Sequence, residues 1–158
     1  PKIKNGTVNP LRNTSNPYSR TKSGKRIDLN NIFFRSKVEA NYARFLTFFK
    51  VEWQYEPKDF YFEDIRRGCV SYTPDFYLPK ENRWIEVKGW LDSKSITKLK
   101  RFKKYFPEEY SKLFIVAQSN KTIRQVIDIG IPHENYNAIH KKFRVRQRLS
   151  RFLGANSR

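Results

Sequence analysis

Cysteine is nearly absent: Cys69 stands alone in a chain of 158 residues. A single cysteine excludes an intramolecular disulfide and any cysteine-based zinc cluster. It also favours a reducing, intracellular setting. No apolar run is long enough to span a bilayer, so no membrane partner is expected. No signal-peptide pattern opens the chain, and no internal repeat is evident. Histidine is scarce too. His133 and His140 lie apart from any partner at metal-ligand spacing, so both read as surface or packing residues.

Acid is missing from both ends. Residues 1–27 carry Lys2, Lys4, Arg12, Arg20, Lys22, Lys25 and Arg26 with no Asp or Glu, and residues 141–158 carry Lys141, Lys142, Arg144, Arg146, Arg148, Arg151 and Arg158, again with none. The two ends hold fourteen of the eighteen net positive charges. The middle is nearly balanced, as a folded body should be. An excess of +18 is too large for solubility alone and points to a polyanion, nucleic acid first.

The length suits one domain with a modest core. Aromatics supply 16% of the residues, so few side chains can bury much area. Residues 1–28 are rich in Asn, Ser, Thr, Gly and Pro and lack periodicity. They read as a flexible basic arm that orders on phosphate. Residues 29–132 form the expected core, and residues 133–158 a basic C-terminal helix or tail.

Within the core, Val38, Tyr42, Phe45, Leu46 and Phe49 predict a helix over 36–49. Ser36 and Glu39 make a capping box at its start. Residues 51–63 predict one bent strand or two short ones, broken at Pro57. Ile96, Leu99, Phe102 and Phe106 predict a helix over 93–105, capped by Ser93 or Ser95 and ended by Pro107. Leu113–Ala117 is an unbroken apolar run, fit for a strand buried on both faces. A short helix over 122–129 closes at Gly130. A basic amphipathic helix follows over 136–153, with Ile139, Phe143, Val145, Leu149 and Phe152 as its stripe. This order gives an α/β fold, a small mixed β-sheet flanked by helices.

The chemistry concentrates between residues 69 and 90. Two runs rich in β-branched and aromatic residues flank Pro79-Lys80-Glu81-Asn82, which predicts a β-hairpin. Asp75 follows Pro74 in the first arm. Glu86 and Lys88, two apart in the second, leave one strand face. Charges among Tyr72, Phe76, Trp84, Ile85 and Val87 are expensive unless they serve a purpose. Two carboxylates can hold a hard divalent cation that keeps several waters. Such a cation activates water against a phosphodiester, and an adjacent ammonium can orient that water or steady charge on the phosphorane. Glu39 has two readings: a helix cap, or a third carboxylate facing the hairpin.

The pattern Pro74-Asp75, a spacer, then Glu86-Val87-Lys88 resembles the signature of the PD-(D/E)XK nuclease superfamily. Further stretches are similar to the phage endonuclease I family of Holliday junction-resolving enzymes: Phe34–Glu39, Trp53–Glu56, Tyr72–Pro79, Ile85–Trp90, Tyr105–Glu109 and the Phe114–Val116 strand. The likeness spans residues 33 to about 120 and leaves out both ends. It implies a restriction-endonuclease-like core and a Mg²⁺-dependent homodimer, with Mn²⁺ able to substitute, that cuts branched DNA. It implies Asp75, Glu86 and the Val87 carbonyl as metal ligands, Lys88 as catalytic lysine and Glu39 as helix-borne acid. It also implies exchange of N-terminal elements across the dimer. One departure stands out: Gln54 occupies a position where the family has an acid, and Glu56 is the candidate substitute ligand. Expected DNA contacts are Arg35, Lys37, Lys94, Lys98, Arg101, Lys104, Lys141, Lys142, Arg144, Arg146 and Arg148. A site-specific or nicking endonuclease of homing or transposase type shares these motifs, and a non-catalytic basic binding module shares the charge.

Overall fold

The computed structural model describes residues 23–155, with side chains as far as Arg146. Most of the expected N-terminal arm, residues 1–22, lies outside the described residues. Its last part is not arm-like. Strand β1 (Gly24–Arg26) pairs antiparallel with β2 (Ile32–Phe34) around a short 3-10 turn over Ile27–Leu29. Asn30 and Asn31 close that turn in the left-handed region, which Asn tolerates better than most residues. Leu29, Ile32 and Phe34 are buried, so the segment is anchored by apolar side chains that its basic neighbours obscure in the sequence.

Helix α1 (Lys37–Phe48) starts where the capping box predicts. Short strands β3 (Gln54–Tyr55) and β4 (Phe60–Tyr61) follow on either side of Pro57, the two-strand form of the expectation. The first arm of the expected hairpin is itself divided. Strand β5 (Ser71–Tyr72) pairs with β4, and β6 (Phe76–Leu78) pairs with β7 (Arg83–Lys88). The division falls at Thr73-Pro74-Asp75, where proline has no N–H to continue a ladder. The Pro79–Asn82 turn closes with Asn82 in the left-handed region.

Helix α2 (Ser93–Tyr105) is capped by Asp92, not by Ser93 or Ser95: the Asp92 carboxylate accepts the Ser95 N–H at 2.7 Å. A carboxylate at the N-cap also gains from the helix dipole. Pro107 ends α2 and opens α3 (Pro107–Ser111). Strand β8 (Leu113–Ala117) leads to α4 (Asn120–Asp128), which begins two residues earlier than expected because Ser119 caps it. Gly130, at φ +68°, closes it as predicted. Strand β9 (His133–Asn135) and α5 (Tyr136–Ala155) complete the chain.

The main sheet has five strands in the order β3-β6-β7-β8-β9. Neighbours β3, β6 and β7 run antiparallel, and β7, β8 and β9 run parallel, so the sheet is mixed and β7 is central. One face packs Tyr55, Phe76, Ile85, Val87 and Val116 against Ala40, Ala43 and Leu46 of α1 and Ile139 of α5. The other packs Trp84, Leu113, Ile115 and Ala117 against Leu99 and Phe102 of α2 and Val126 of α4. Each fully buried Leu, Ile, Val or Phe contributes about 1.5–3 kcal/mol. The core thus continues past residue 132, since β9 is a sheet strand and Tyr136 and Ile139 are buried. Val145, expected on the apolar stripe of α5, is 52% exposed. Among the described residues no helix is long and apolar enough to cross a membrane.

Candidate active site

Sheet alternation positions the acids. Ile85 and Val87 face α1, so Trp84, Glu86 and Lys88 face α2. The β6–β7 register joins Phe76 to Ile85 and Tyr77 to Trp84, whose rings sit 4.4 Å apart. One further step along it sets Asp75 opposite Glu86. The β3–β6 register continues likewise, with the Glu56 N–H donating to the Asp75 carbonyl at 2.9 Å. A packed hydrophobic face thus holds two carboxylates at the ends of adjacent strands.

Glu86 is buried, and both its oxygens are engaged. Oε1 lies 2.6 Å from the Lys88 ammonium, and Oε2 accepts the Tyr72 hydroxyl at 2.9 Å. Asp75 is buried as well, and its Oδ2 accepts the Val87 N–H at 2.7 Å. Burial, then the charges of Glu86 and Glu39, push the Asp75 carboxyl well above its usual range. Burial pulls the Lys88 ammonium down, but Glu86 and Asp75 more than offset it and hold Lys88 above its ordinary value. Lys88 is therefore a cation at neutral pH, suited to donate hydrogen bonds and not to accept a proton.

Glu39 reaches the same cleft from the first turn of α1. Ser36 Oγ accepts the Glu39 N–H at 3.1 Å, which is half of the capping box. The reciprocal half is displaced by one residue. Glu39 Oε2 accepts from the Arg35 N–H at 3.1 Å and from the Tyr55 hydroxyl at 2.5 Å. Both side-chain bonds fall on Oε2, which leaves Oε1 as the oxygen for a ligand. Burial, then the Glu39 charge, raise the Tyr55 phenol far above its usual range, so it remains a donor.

Glu56 lines the cleft with its carboxylate engaged in an ion pair. Its carboxylate grips the Arg35 guanidinium, Oε1 to Nε at 2.8 Å and Oε2 to Nη2 at 3.1 Å. At φ 44° it has left the strand conformation, a costly state for a non-glycine residue and one that clusters at functional sites. This bidentate pair engages both carboxylate oxygens of Glu56, the residue expected as a substitute ligand.

Together these groups enclose a cleft of about 520 Å³, also lined by Ser71, Thr73, Ser95, Lys98 and Leu99. Arg35 and Glu56 neutralise each other. Glu39, Asp75 and Glu86 against Lys88 and Lys98 leave one formal negative charge inside a chain of net +18. Among the described residues, no three of His, Cys, Asp or Glu converge closely enough to enclose an ion. A bound cation would therefore take Asp75 and Glu86 and fill its remaining positions with water and substrate oxygens, a habit of Mg²⁺. The donors are all oxygen and two of them are carboxylates, so the residues fit such a group.

The expected DNA contacts divide. Arg35 and Lys98 line the cleft, and Lys37 and Lys94 are exposed. Arg101 is partly committed, donating from Nη1 to the Cys69 carbonyl at 2.6 Å, and the Lys104 ammonium lies 5.4 Å from the Tyr105 ring centre. On α5, Lys141, Lys142, Arg144 and Arg146 are exposed, but Lys141 and Arg144 line a different depression. The Arg148 side chain lies outside the described residues. Tyr72 and Tyr55, which hold Glu86 and Glu39, were not legible as site residues, because a tyrosine in an aromatic run reads as core. Comparison of the chain with family models, curated proteins and solved structures found no match.

Proposed function

We propose that this protein is a metal-dependent DNA endonuclease of the PD-(D/E)XK type, with a restriction-endonuclease-like core and branched DNA as its substrate. One observation carries the reading: an acidic, oxygen-lined cleft, with Lys88 beside Glu86, in a strongly basic chain. Such a cleft suits a divalent cation beside a phosphodiester.

Asp75 and Glu86, with the Val87 carbonyl beside them, would hold Mg²⁺ or Mn²⁺, and Glu39 would add negative charge in the same cleft. When bound, the ion supplies neutralising charge and Lewis-acid polarisation of the phosphodiester. Tyr72 fixes the rotamer of Glu86 and Val87 N–H fixes that of Asp75, so the carboxylates are oriented before substrate arrives. Lys88 exchanges its Glu86 contact for the attacking water or a non-bridging phosphate oxygen, where its charge stabilises the transition state. Arg35 and Lys98, on the rim, take flanking phosphates.

Resolving a junction requires two cuts, so the proposal includes a homodimer with two clefts. Glu39 lines the cleft of its own chain, which favours subunits that each carry a complete site. A non-catalytic nucleic-acid-binding module is favoured by one observation, the 2.6 Å Glu86–Lys88 pair, which neutralises the acid without any metal. Cleavage of a four-way junction beside a linear duplex of the same sequence, with Mg²⁺ or chelator, tests both. The nuclease reading expects Mg²⁺-dependent cuts in the junction; binding without cuts under every divalent ion supports the module.

A further inference from the structure

Trp90 follows Lys88 by two residues and is 64% exposed, whereas Trp53 and Trp84 are buried. The backbone around it is pinned. The Lys88 carbonyl accepts the Gln118 N–H at 2.8 Å, and the Gly89 carbonyl accepts the Thr122 hydroxyl at 2.9 Å. A Cβ on Gly89 would meet Gln118 Oε1 at 3.0 Å, so the loop lies tight against the segment that opens α4. Leu91 is buried, and its carbonyl accepts from Gln125 Nε2 at 3.2 Å. An indole is thus presented to solvent from an anchored loop, which holds its ring ready for a ligand. The Lys121 ammonium stands 4.5 Å from its ring centre.

An exposed indole face and an adjacent cation suit a nucleobase and its phosphate. Chain reach puts the Trp90 Cα within about 7 Å of the Lys88 Cα. That is about two nucleotides from the reacting phosphate at a rise of about 3.4 Å per strand. Bases inside an intact duplex are covered on both faces by their neighbours, so the ligand must have an uncovered face. We propose that Trp90 and Lys121 form a stacking site for an unpaired nucleobase next to the phosphodiester held in the cleft. The inference rests on the nuclease reading and names its substrate feature: an unstacked nucleotide, as at a strand exchange point, gap or end.

The test uses the full chain in excess chelator, so that nothing is cut. It is titrated with a short oligothymidylate and with an abasic deoxyribose-phosphate strand of equal length. Oligothymidylate should quench the tryptophan emission that comes from Trp90, while the abasic strand binds without quenching. Trp90→Ala should weaken oligothymidylate by about tenfold or more and leave the abasic strand within about twofold. Trp90→Phe should retain most of the base-dependent affinity, and Lys121→Ala should weaken both strands alike. Equal binding of the two strands with unchanged emission, or an alanine variant equal to the parent, overturns the stacking site and leaves the nuclease reading standing. Failure of both strands to bind overturns the nucleic-acid reading and the stacking site with it.

Discussion

Glu39→Gln separates structure from chemistry at one carboxylate. Glutamine keeps an oxygen for the Tyr55 hydroxyl and the Arg35 N–H, and the Ser36 cap to the residue 39 backbone is untouched. What is lost is charge. Hydrogen bonds to charged groups contribute about 1.5–3 kcal/mol and neutral ones about 0.5–1.5, so two weakened bonds cost about 2 kcal/mol. The same change removes a negative charge that repels Asp75, which offsets part of that cost. A net loss of about 1 kcal/mol lowers Tm by about 2–4 °C in a domain of this size. Cleavage should fall much further, by about 10²-fold or more, the scale of removing one preorganised charge from a reacting centre. Circular dichroism melts and junction cleavage with Mg²⁺ measure the two effects. A variant that melts a few degrees lower yet cuts at the parent rate refutes the reasoning, and Glu39 would then be a cap and nothing more. Mixing Glu39→Gln with Asp75→Asn adds a check on geometry. Because both residues line one chain's cleft, every site in a mixed dimer is broken and no activity should return. Recovered nicking would show that subunits exchange the helix.

Asp75→Asn should stabilise the fold at pH 7, by about 0.5–2 kcal/mol. The folded pKa of Asp75 lies above its unfolded value of 3.8, so wild-type stability falls as pH rises through that window. The variant's advantage in Tm should grow above about pH 4 and vanish below it, and Mg²⁺ should raise the Tm of the parent only. Asp92→Ala should cost about 0.5–2 kcal/mol through loss of the α2 cap, while Ser93→Ala is near neutral. The Ser95 hydroxyl and N–H depress the Asp92 pKa, so its contribution is present above pH 3.8 and is lost as pH falls through the lower folded value. Melts at neutral and strongly acid pH check it. Lys98→Ala should reduce the salt slope of duplex binding by about 0.9, the value of one lost phosphate contact.

Long, periodic or unbroken apolar segments were legible in the sequence. Helix α1 announced itself through Ser36 and a helical stripe, and β8 through an unbroken apolar run, because burial leaves a pattern that composition alone reveals. Strand β9 did not, since His133-Glu134-Asn135 at a sheet edge carries no apolar alternation. Its pairing depends on β8, eighteen residues earlier. The two carboxylates and Lys88 were legible because charge is costly in such runs. Their partners were not: Tyr72 and Tyr55 look like core until the register brings their hydroxyls to Glu86 and Glu39. The Arg35 partner of Glu56 was hidden for a related reason. Spacing gives the strand face, but Glu56 turns to a left-handed backbone, and Arg35, twenty-one residues earlier, claims its carboxylate.

The central claim is that a cation-filled Asp75–Glu86 pair hydrolyses DNA with the aid of Lys88. End-labelled four-way junction incubated with the parent, Asp75→Asn and Lys88→Ala proteins, each with Mg²⁺ or chelator, tests it most directly. The account predicts cuts by the parent with Mg²⁺ alone and junction binding by all three proteins. Cutting in chelator, or by the Asp75→Asn protein at the parent rate, would contradict it.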